Sequence, residues 1–341
     1  MRYSRRARVA CGRSVIVLRV GIVGTGFAAR LRAEALRDDE RAKLVAVAGH
    51  TKAKATQFGT DFQVAIMQDW PTLIHSPRID VVFICTVNRD HATIAKVALD
   101  AGKHVVVEYP LALQLDTAVQ AIELAERKQR LLHVEHIELL SGIHTLIRQE
   151  LAGLGAIFHA NYTTLKAVRP APARWTYDPE LFGFPLVGAQ SRLHRLVDLF
   201  GPVERVACQL HYDTGRQSDR YTSCMCNAQL EFTSGTTATV TYGKGESIWQ
   251  SQRKLELYAK NGGLLVDGDR ADLIRAESAY PLKTGTRRGL FYQDTRRVMD
   301  YLCEGTPLYV SARDSLQSLA VAIAAAKSAE TKQIVTLTPI E

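Results

Sequence analysis

The sequence predicts an α/β protein: a doubly wound parallel sheet, then an α+β domain with a largely antiparallel sheet. Three observations predict it. Leu18 to Glu34 reads as strand, Gly-rich turn and helix. Short apolar runs then alternate with helical stretches as far as Glu135, the order of a parallel sheet with crossover helices. After Ile157 the pattern changes to longer strands separated by turn signals such as Ser234-Gly235 and Asn261-Gly262-Gly263, the order of an antiparallel sheet.

The first stretch carries a ligand signature. Leu18-Arg19-Val20-Gly21-Ile22-Val23 has the β-branched composition of a buried strand, and Phe27 onward favours helix. Between them, Gly24 permits a tight turn and Gly26 allows close approach of a pyrophosphate. Ala29 takes the third small position, where helix packs on strand. Gly24, Thr25, Gly26, Phe27 and Ala28 are therefore the expected phosphate site, at the positive end of a helix. A βα turn without a ligand is the alternative.

The second strand, Lys43 to Ala48, runs into Gly49-His50-Thr51-Lys52, with no acid before Asp61. An acid at this point takes the ribose hydroxyls of NAD. An imidazole, a hydroxyl and an ammonium instead suit a 2′-phosphate, so His50, Thr51 and Lys52 predict NADP(H). The alternative is a Lys52 that is simply solvated. Further strands are expected at Ile79 to Thr86, His104 to Glu108 and Leu131 to Glu135. Ligands sit past the carboxyl ends of such strands. That gathers Cys85, Thr86, Asn88, His91, Glu108, Tyr109 and His136 around the nicotinamide end.

In the second half, strands are expected at 156–165, 203–211, 222–232, 236–242, 254–259 and 263–266. One helix, Leu186 to Phe200, interrupts them, and helices Phe291 to Cys303 and Ala312 to Ala329 close the chain. The boundaries are a disordered basic extension over 1–16, an NADP-binding domain over 17–140 and a substrate domain over 141–341.

The chain has 341 residues, 46% hydrophobic and 23% charged, ordinary for a globular protein. Its net charge of +8 is concentrated at the front: Arg2, Arg5, Arg6, Arg8, Arg13 and Arg19 meet no acid before residue 20. The body is nearly neutral, so no nucleic-acid partner is expected. No apolar run is long enough for a membrane span. The six cysteines lack a C-x-x-C pair and read as buried thiols of a cytoplasmic protein.

Three stretches together resemble the family of glucose–fructose oxidoreductase and inositol dehydrogenase: Gly21 to Ala29, Thr86 to Ala92, and Ala101 to Leu111. The family's third stretch usually reads Glu-Lys-Pro, where the Lys works on a substrate hydroxyl, and its inner helix adds an Asp and a His. Here those positions hold Tyr109, Ser191 and Arg195. None is a base of near-neutral pKa, which alcohol oxidation needs. Glu108-Tyr109-Pro110, Leu132 to Leu140, Ser191-Arg192-Leu193-His194-Arg195 and Arg287 to Phe291 instead resemble the biliverdin reductases, the cyanobacterial type most closely. That resemblance implies NADPH-dependent reduction of the central methine bridge of biliverdin to give bilirubin.

A helical wheel over 186–200 puts Leu186, Ala189, Leu193, Leu196, Val197 and Phe200 on the core side. Ser191, Arg195 and Asp198 lie opposite, with Arg192 on the flank. The resemblance turns that face to the cleft: Arg192 first, Tyr109 second, and Arg195 would support catalysis, with Arg192 and Arg195 also on the substrate. Without it, a solvated stripe with Arg195 paired to Asp198 is equally open. Lys244, Arg287, Arg288 and Lys166 are candidate partners for the propionates. His136 is expected beside the substrate, in a polar network with His133, Glu135 and Glu138. These four face opposite ways on a strand, so no metal site is expected. The substrate would be a bilin and the protein a monomer. Two rival readings are a sugar or polyol dehydrogenase, and a nucleotide-sensing binding protein whose basic tail contacts nucleic acid.

Overall fold

The structure, a computed structural model, describes residues 17–214, 219–276 and 278–338. The basic segment 1–16 lies outside the described residues.

The first half alternates β1 (Leu18–Val23), α1 (Phe27–Arg37), β2 (Ala42–Ala48), α2 (Lys52–Phe62), β3 (Ala65–Ile66), α3 (Trp70–His75), β4 (Val81–Ile84), α4 (His91–Asp100), β5 (His104–Val107), α5 (Leu115–Lys128) and β6 (Leu132–Val134). All six strands pair in parallel, in the order β3-β2-β1-β4-β5-β6. Both faces are covered by helices, so β4 is buried throughout and needs no polar alternation. The order reverses between β1 and β4. The strand ends that flank this switch point open a crevice for a ligand.

The second half runs through α6 (Gly142–Leu154), β7 (Ile157–Ala167), α7 (Pro179–Phe182), α8 (Pro185–Gly188), α9 (Ser191–Phe200), β8 (Val203–Thr214), β9 (Tyr221–Phe232) and β10 (Thr237–Gly245). It continues with β11 (Gln252–Ala259), β12 (Gly262–Asp267), β13 (Arg270–Arg275), β14 (Ser278–Leu282), α10 (Leu290–Glu304), α11 (Ala312–Thr331) and β15 (Val335–Thr336). Nine strands pair in the order β14-β13-β12-β11-β7-β10-β9-β8-β15. Every pair is antiparallel except β7 with β10. The expected architecture is present, with β3, α6, α7, β13, β14 and β15 in addition.

Two packing features position the site. The helix expected over 186–200 is two helices, broken at Ala189, whose φ is −112° and ψ 29°. The junction is pinned from α11: the buried Gln190 amide donates to Ser315 O and Ser318 Oγ, each at 2.8 Å. The second feature is a return of the chain. Val298 and Met299 of α10 pack with Val20, Ile22 and Phe83 of the first sheet. The first sheet is thus covered in part by residues that follow β14 of the second.

Candidate active site

A cleft of about 1330 Å³ opens at the carboxyl ends of the parallel strands and reaches Glu138, Trp175 and Phe182 of the second half. At its floor, Gly24 has a φ of 119°, and a Cβ there would lie 2.2 Å from the Cys85 carbonyl oxygen, so only glycine fits. A Cβ on Gly26 would meet nothing within 4 Å. That open space adjoins the start of α1, which has no side-chain cap and no acid in its first turn. Unclaimed N–H groups at a helix start suit a pyrophosphate. The residues present therefore fit a dinucleotide.

Thr25, Phe27, Ala28, His50, Thr51, Cys85, Thr86, Asn88, His91, Glu108 and Tyr109 all line the cleft, as expected. Lys52 does not: it is exposed at the start of α2, and Lys54 and Arg30 line the cleft instead. The helix rotates position 52 outward, a turn that the strand-end motif does not reveal. His91 is a buried strut whose ring nitrogens lie 2.8 Å from Pro110 O and 3.3 Å from Thr86 O. Asn88 donates to Phe182 O at 2.9 Å, tying the two halves together across the cleft.

Beneath this end lies a buried charge network. Arg32 donates to Glu108 at 3.1 Å and pairs with Asp294, which also accepts from Tyr309 at 2.7 Å and lies 2.8 Å from His133 Nε2. Burial first, and the Glu108 charge second, raise the Glu135 carboxyl well above its ordinary range. That favours the protonated form of Glu135 beside Glu108 at the cleft.

The substrate end is organised by a hydrogen-bonded line. Arg192 Nη1 donates to Ser191 Oγ at 2.9 Å, and Ser191 Oγ donates to the Tyr109 hydroxyl at 3.2 Å. The half-buried Arg192 also lies 5.8 Å from the Tyr242 ring centroid. Burial raises the Tyr109 phenol, so the hydroxyl keeps its proton at neutral pH. The Tyr109 ring stacks on His136 at 5.7 Å, and His136 on His194 at 3.6 Å.

Several expected substrate contacts stand elsewhere. His136 is 1% exposed beneath Tyr109, with Nε2 2.8 Å from Ser315 Oγ. It buttresses the phenol ring and does not line the cleft. Arg195 is 3% exposed and turns inward, donating to Glu138 Oε2 at 2.8 Å and Tyr162 OH at 3.2 Å. The wheel missed this because α9 packs on both sides. Asp198 pairs with Arg148 and His144, not with Arg195. Lys244 is enclosed: its Nζ lies 3.8 Å from the Phe182 ring centroid and 4.8 Å from that of Tyr177, and it donates to Thr176 O. Burial pushes its pKa down to about 8. It clamps the segment that carries Trp175 and Phe182 over the cleft. Arg288 is exposed and off the lining, and Arg287 is engaged by Glu138 at 2.9 Å.

Glu138 also accepts from Arg253, which sequence reasoning missed, at 2.9 Å. Burial alone would raise the Glu138 carboxyl; Arg195, Arg253 and Arg287 overcome that and hold it at about 2. Among the described residues no group of three or more His, Cys, Asp and Glu is arranged to hold a metal. Among the same residues, no helix is long and apolar enough to cross a membrane.

Fold and cleft together define an oxidoreductase that works with a nicotinamide dinucleotide. Residues 18–136 match the oxidoreductase family with an NAD-binding Rossmann fold, and residues 148–337 match that family's C-terminal alpha/beta domain. The chain belongs to this glucose–fructose oxidoreductase, inositol dehydrogenase and MocA family. It is 46% identical to a biliverdin reductase from Synechocystis sp. PCC 6803, solved in complex with biliverdin and NADP+. That likeness covers 92% of this chain and 99% of that one with a TM-score of 0.90. It is 30% identical over 248 residues to biliverdin reductase A of Mus musculus, covering 72% of this chain and 77% of the relative. Levoglucosan dehydrogenase, solved with NADH and L-sorbose, has the same fold at a TM-score of 0.84 but 19% identity, over 95% of this chain and 99% of that one.

Proposed function

We propose that the protein is a biliverdin reductase, using NADPH to reduce the central methine bridge of biliverdin and give bilirubin. The line Arg192–Ser191–Tyr109 carries the reading. Tyr109 and Ser191 stand at the positions where sugar dehydrogenases of the family hold their Lys and Asp, and the line contains no base of near-neutral pKa. The likeness to the Synechocystis enzyme, solved with biliverdin and NADP+, supports both substrate and cofactor. So do Lys54 and Arg30, two cations that line the cleft together with His50 and Thr51, Arg30 being paired with Asp61 at 2.8 Å.

The reduction adds one hydride to the methine carbon and one proton to a pyrrole nitrogen. The bound dinucleotide supplies the hydride. Arg192 is held charged, with its pKa above the usual guanidinium range. Its fork donates to Ser191 and faces the ring of Tyr242, so it can stabilise developing negative charge or orient the water that delivers the proton. Tyr109 stays protonated and presents a hydroxyl at the end of the same line. Glu135, whose carboxyl burial pushes upward, lines the same cleft.

A monomer in the cytoplasm suits this reading. Nucleic acid has no role in it. The experiment is purified protein, NADPH and biliverdin, followed by loss of the long-wavelength bilin band. Bilirubin as product supports the reading. No turnover of biliverdin, together with NADP+-dependent oxidation of glucose or inositol, would replace it by the sugar dehydrogenase.

A further inference from the structure

Beyond residue 140, the cleft is lined by Trp175, Leu181, Phe182, Gly188 and Phe291. The first four belong to one excursion of the chain between β7 and α9. From the first half, Asn88 donates to Phe182 O at 2.9 Å; from β9, the Tyr221 hydroxyl donates to Thr176 O at 2.9 Å. The Phe182 ring is seated closely on Gly188, where a Cβ would lie 2.3 Å from it. Trp175 stands beside that ring, with centroids 5.9 Å apart. The excursion over 175–188 thus gives the cleft one apolar wall.

Behind this wall lies a buried cation. Lys244 of β10 is 5% exposed and does not line the cleft. Its Nζ donates to Thr176 O and lies 3.8 Å from the Phe182 ring centroid, with the rings of Tyr177, Tyr221 and Tyr242 at 4.8, 5.4 and 6.0 Å. With a pKa of about 8, the amine is mostly charged at pH 7. Among the described residues it forms no ion pair. Burying an ammonium without a carboxylate is costly, and an apolar side chain of similar length would avoid that cost. Thr176 O would keep the Tyr221 hydroxyl as donor. Folding alone therefore gives no reason for a lysine here. A cation over an aromatic face does attract that ring, and more strongly when shielded from water.

We propose that Lys244 is a positioning residue: from behind, it fixes Phe182 and Trp175 as a rigid apolar wall against which the flat face of the substrate packs, and it does so through the Phe182 ring without touching the substrate. The inference rests on the bilin reading, since a conjugated tetrapyrrole offers such a face. Asn88 holds the backbone of the same residue from the opposite half, so Phe182 is gripped at its carbonyl and at its ring by two different domains. A wall held in place before binding loses little order when the substrate arrives, and that saving appears as affinity.

The test is equilibrium titration of NADP+-loaded protein, which cannot turn over, with biliverdin and with its dimethyl ester. Lys244→Met should weaken both ligands by about ten-fold, the two losses agreeing within about two-fold, with NADP+ affinity unchanged. Its thermal midpoint should be no lower than that of wild type, because a buried charge has been removed. Phe182→Leu, which deletes the aromatic face, should also weaken both, and the double variant should bind no worse than the weaker single within about two-fold. A loss confined to the diacid overturns the proposal, because Lys244 would then meet a substrate carboxylate directly. Unchanged affinity in Lys244→Met, a loss that comes with a lowered midpoint, or single losses that multiply in the double variant overturn it too. If Phe182→Leu fails to fold, the Lys244→Met titrations and midpoint decide. A wild type that binds neither compound sinks the bilin reading, and the inference with it.

Discussion

Arg32 and Asp294 form an ion pair in which neither side chain is exposed, although 262 residues separate them. Arg32 stands on α1, whose uncapped start fits a dinucleotide, and Asp294 on α10, which returns to the first sheet after β14. The same carboxylate takes the Tyr309 hydroxyl and faces His133, so one group holds α1, β6 and α10 together. The nicotinamide end of the cleft rests on this node through Glu108, which Arg32 holds at 3.1 Å.

Removing one partner of a buried pair leaves the other charge uncompensated. Asp294→Asn should cost about 3–5 kcal/mol of folding stability. Arg32→Met with Asp294→Leu should recover much of that loss, because both charges then go together. Urea unfolding measures both variants. An Asp294→Asn midpoint equal to wild type would refute the assignment of the node.

Acid should destabilise the protein in two overlapping windows. Burial pushes His194 down to about 4, and burial with His194 as neighbour pushes His136 well below its ordinary value. As pH falls below about 6.5, the unfolded chain binds protons that these folded histidines refuse, so stability falls. Glu138, held at about 2, contributes stability that is present above about 4.3 and lost as pH drops toward its folded value. The signs agree. The thermal midpoint should decline steadily from pH 7.5 to pH 4, and a flat profile across that range would contradict the buried neutral state of the histidines.

Arg192→Ala should lower the turnover number about 100-fold, or roughly 2.7 kcal/mol of transition-state stabilisation, with NADPH affinity intact. Arg192→Lys should rescue little, since an ammonium cannot reproduce the fork that meets Ser191 and faces Tyr242. Steady-state rates at saturating biliverdin decide it. Near-normal turnover in Arg192→Ala would leave this residue no part in proton delivery.

Cofactor choice should follow Lys54 and not Lys52. Lys54→Glu should raise the NADPH Michaelis constant by about ten-fold, the scale of one charge-assisted contact, and leave NADH nearly unchanged. Lys52→Glu, exposed off the lining, should do far less. Equal Michaelis constants for NADPH and NADH in the wild type would remove the 2′-phosphate argument altogether.

What could be read from the sequence is what local chemistry dictates. Gly24 is legible because a φ of 119° demands glycine, and Gly26 because its spacing from Gly24 marks an open approach at the helix start. The parallel strands are legible because burial on both faces leaves an apolar run such as Val81-Val82-Phe83-Ile84. Arg195 was misplaced because its inward turn depends on Glu138, 57 residues away. Lys244 was misread because four aromatic rings from three separate segments enclose it. The break at Ala189 has only Gly188 as a local mark, and the contacts that hold it, from Gln190 to Ser315 and Ser318, span 125 and 128 positions of the chain. The hairpin of β13 and β14, with exposed Arg270, Tyr280 and Pro281, lies at the edge of the sheet, where alternation fades.

The parallel pairing of β7 with β10 has a consequence during synthesis. β7 lies between β10 and β11, and its first neighbour arrives only 78 residues later, where Thr237 meets His159. At ribosomal rates of about 5–20 residues per second, both edges of this strand stand open for roughly 4–16 s. Its Phe158-His159-Ala160-Asn161-Tyr162 stretch can meanwhile pair with any other extended chain. Yield in a cell should therefore depend on chaperone capacity and on nascent-chain crowding, even for variants whose finished fold is as stable as the wild type.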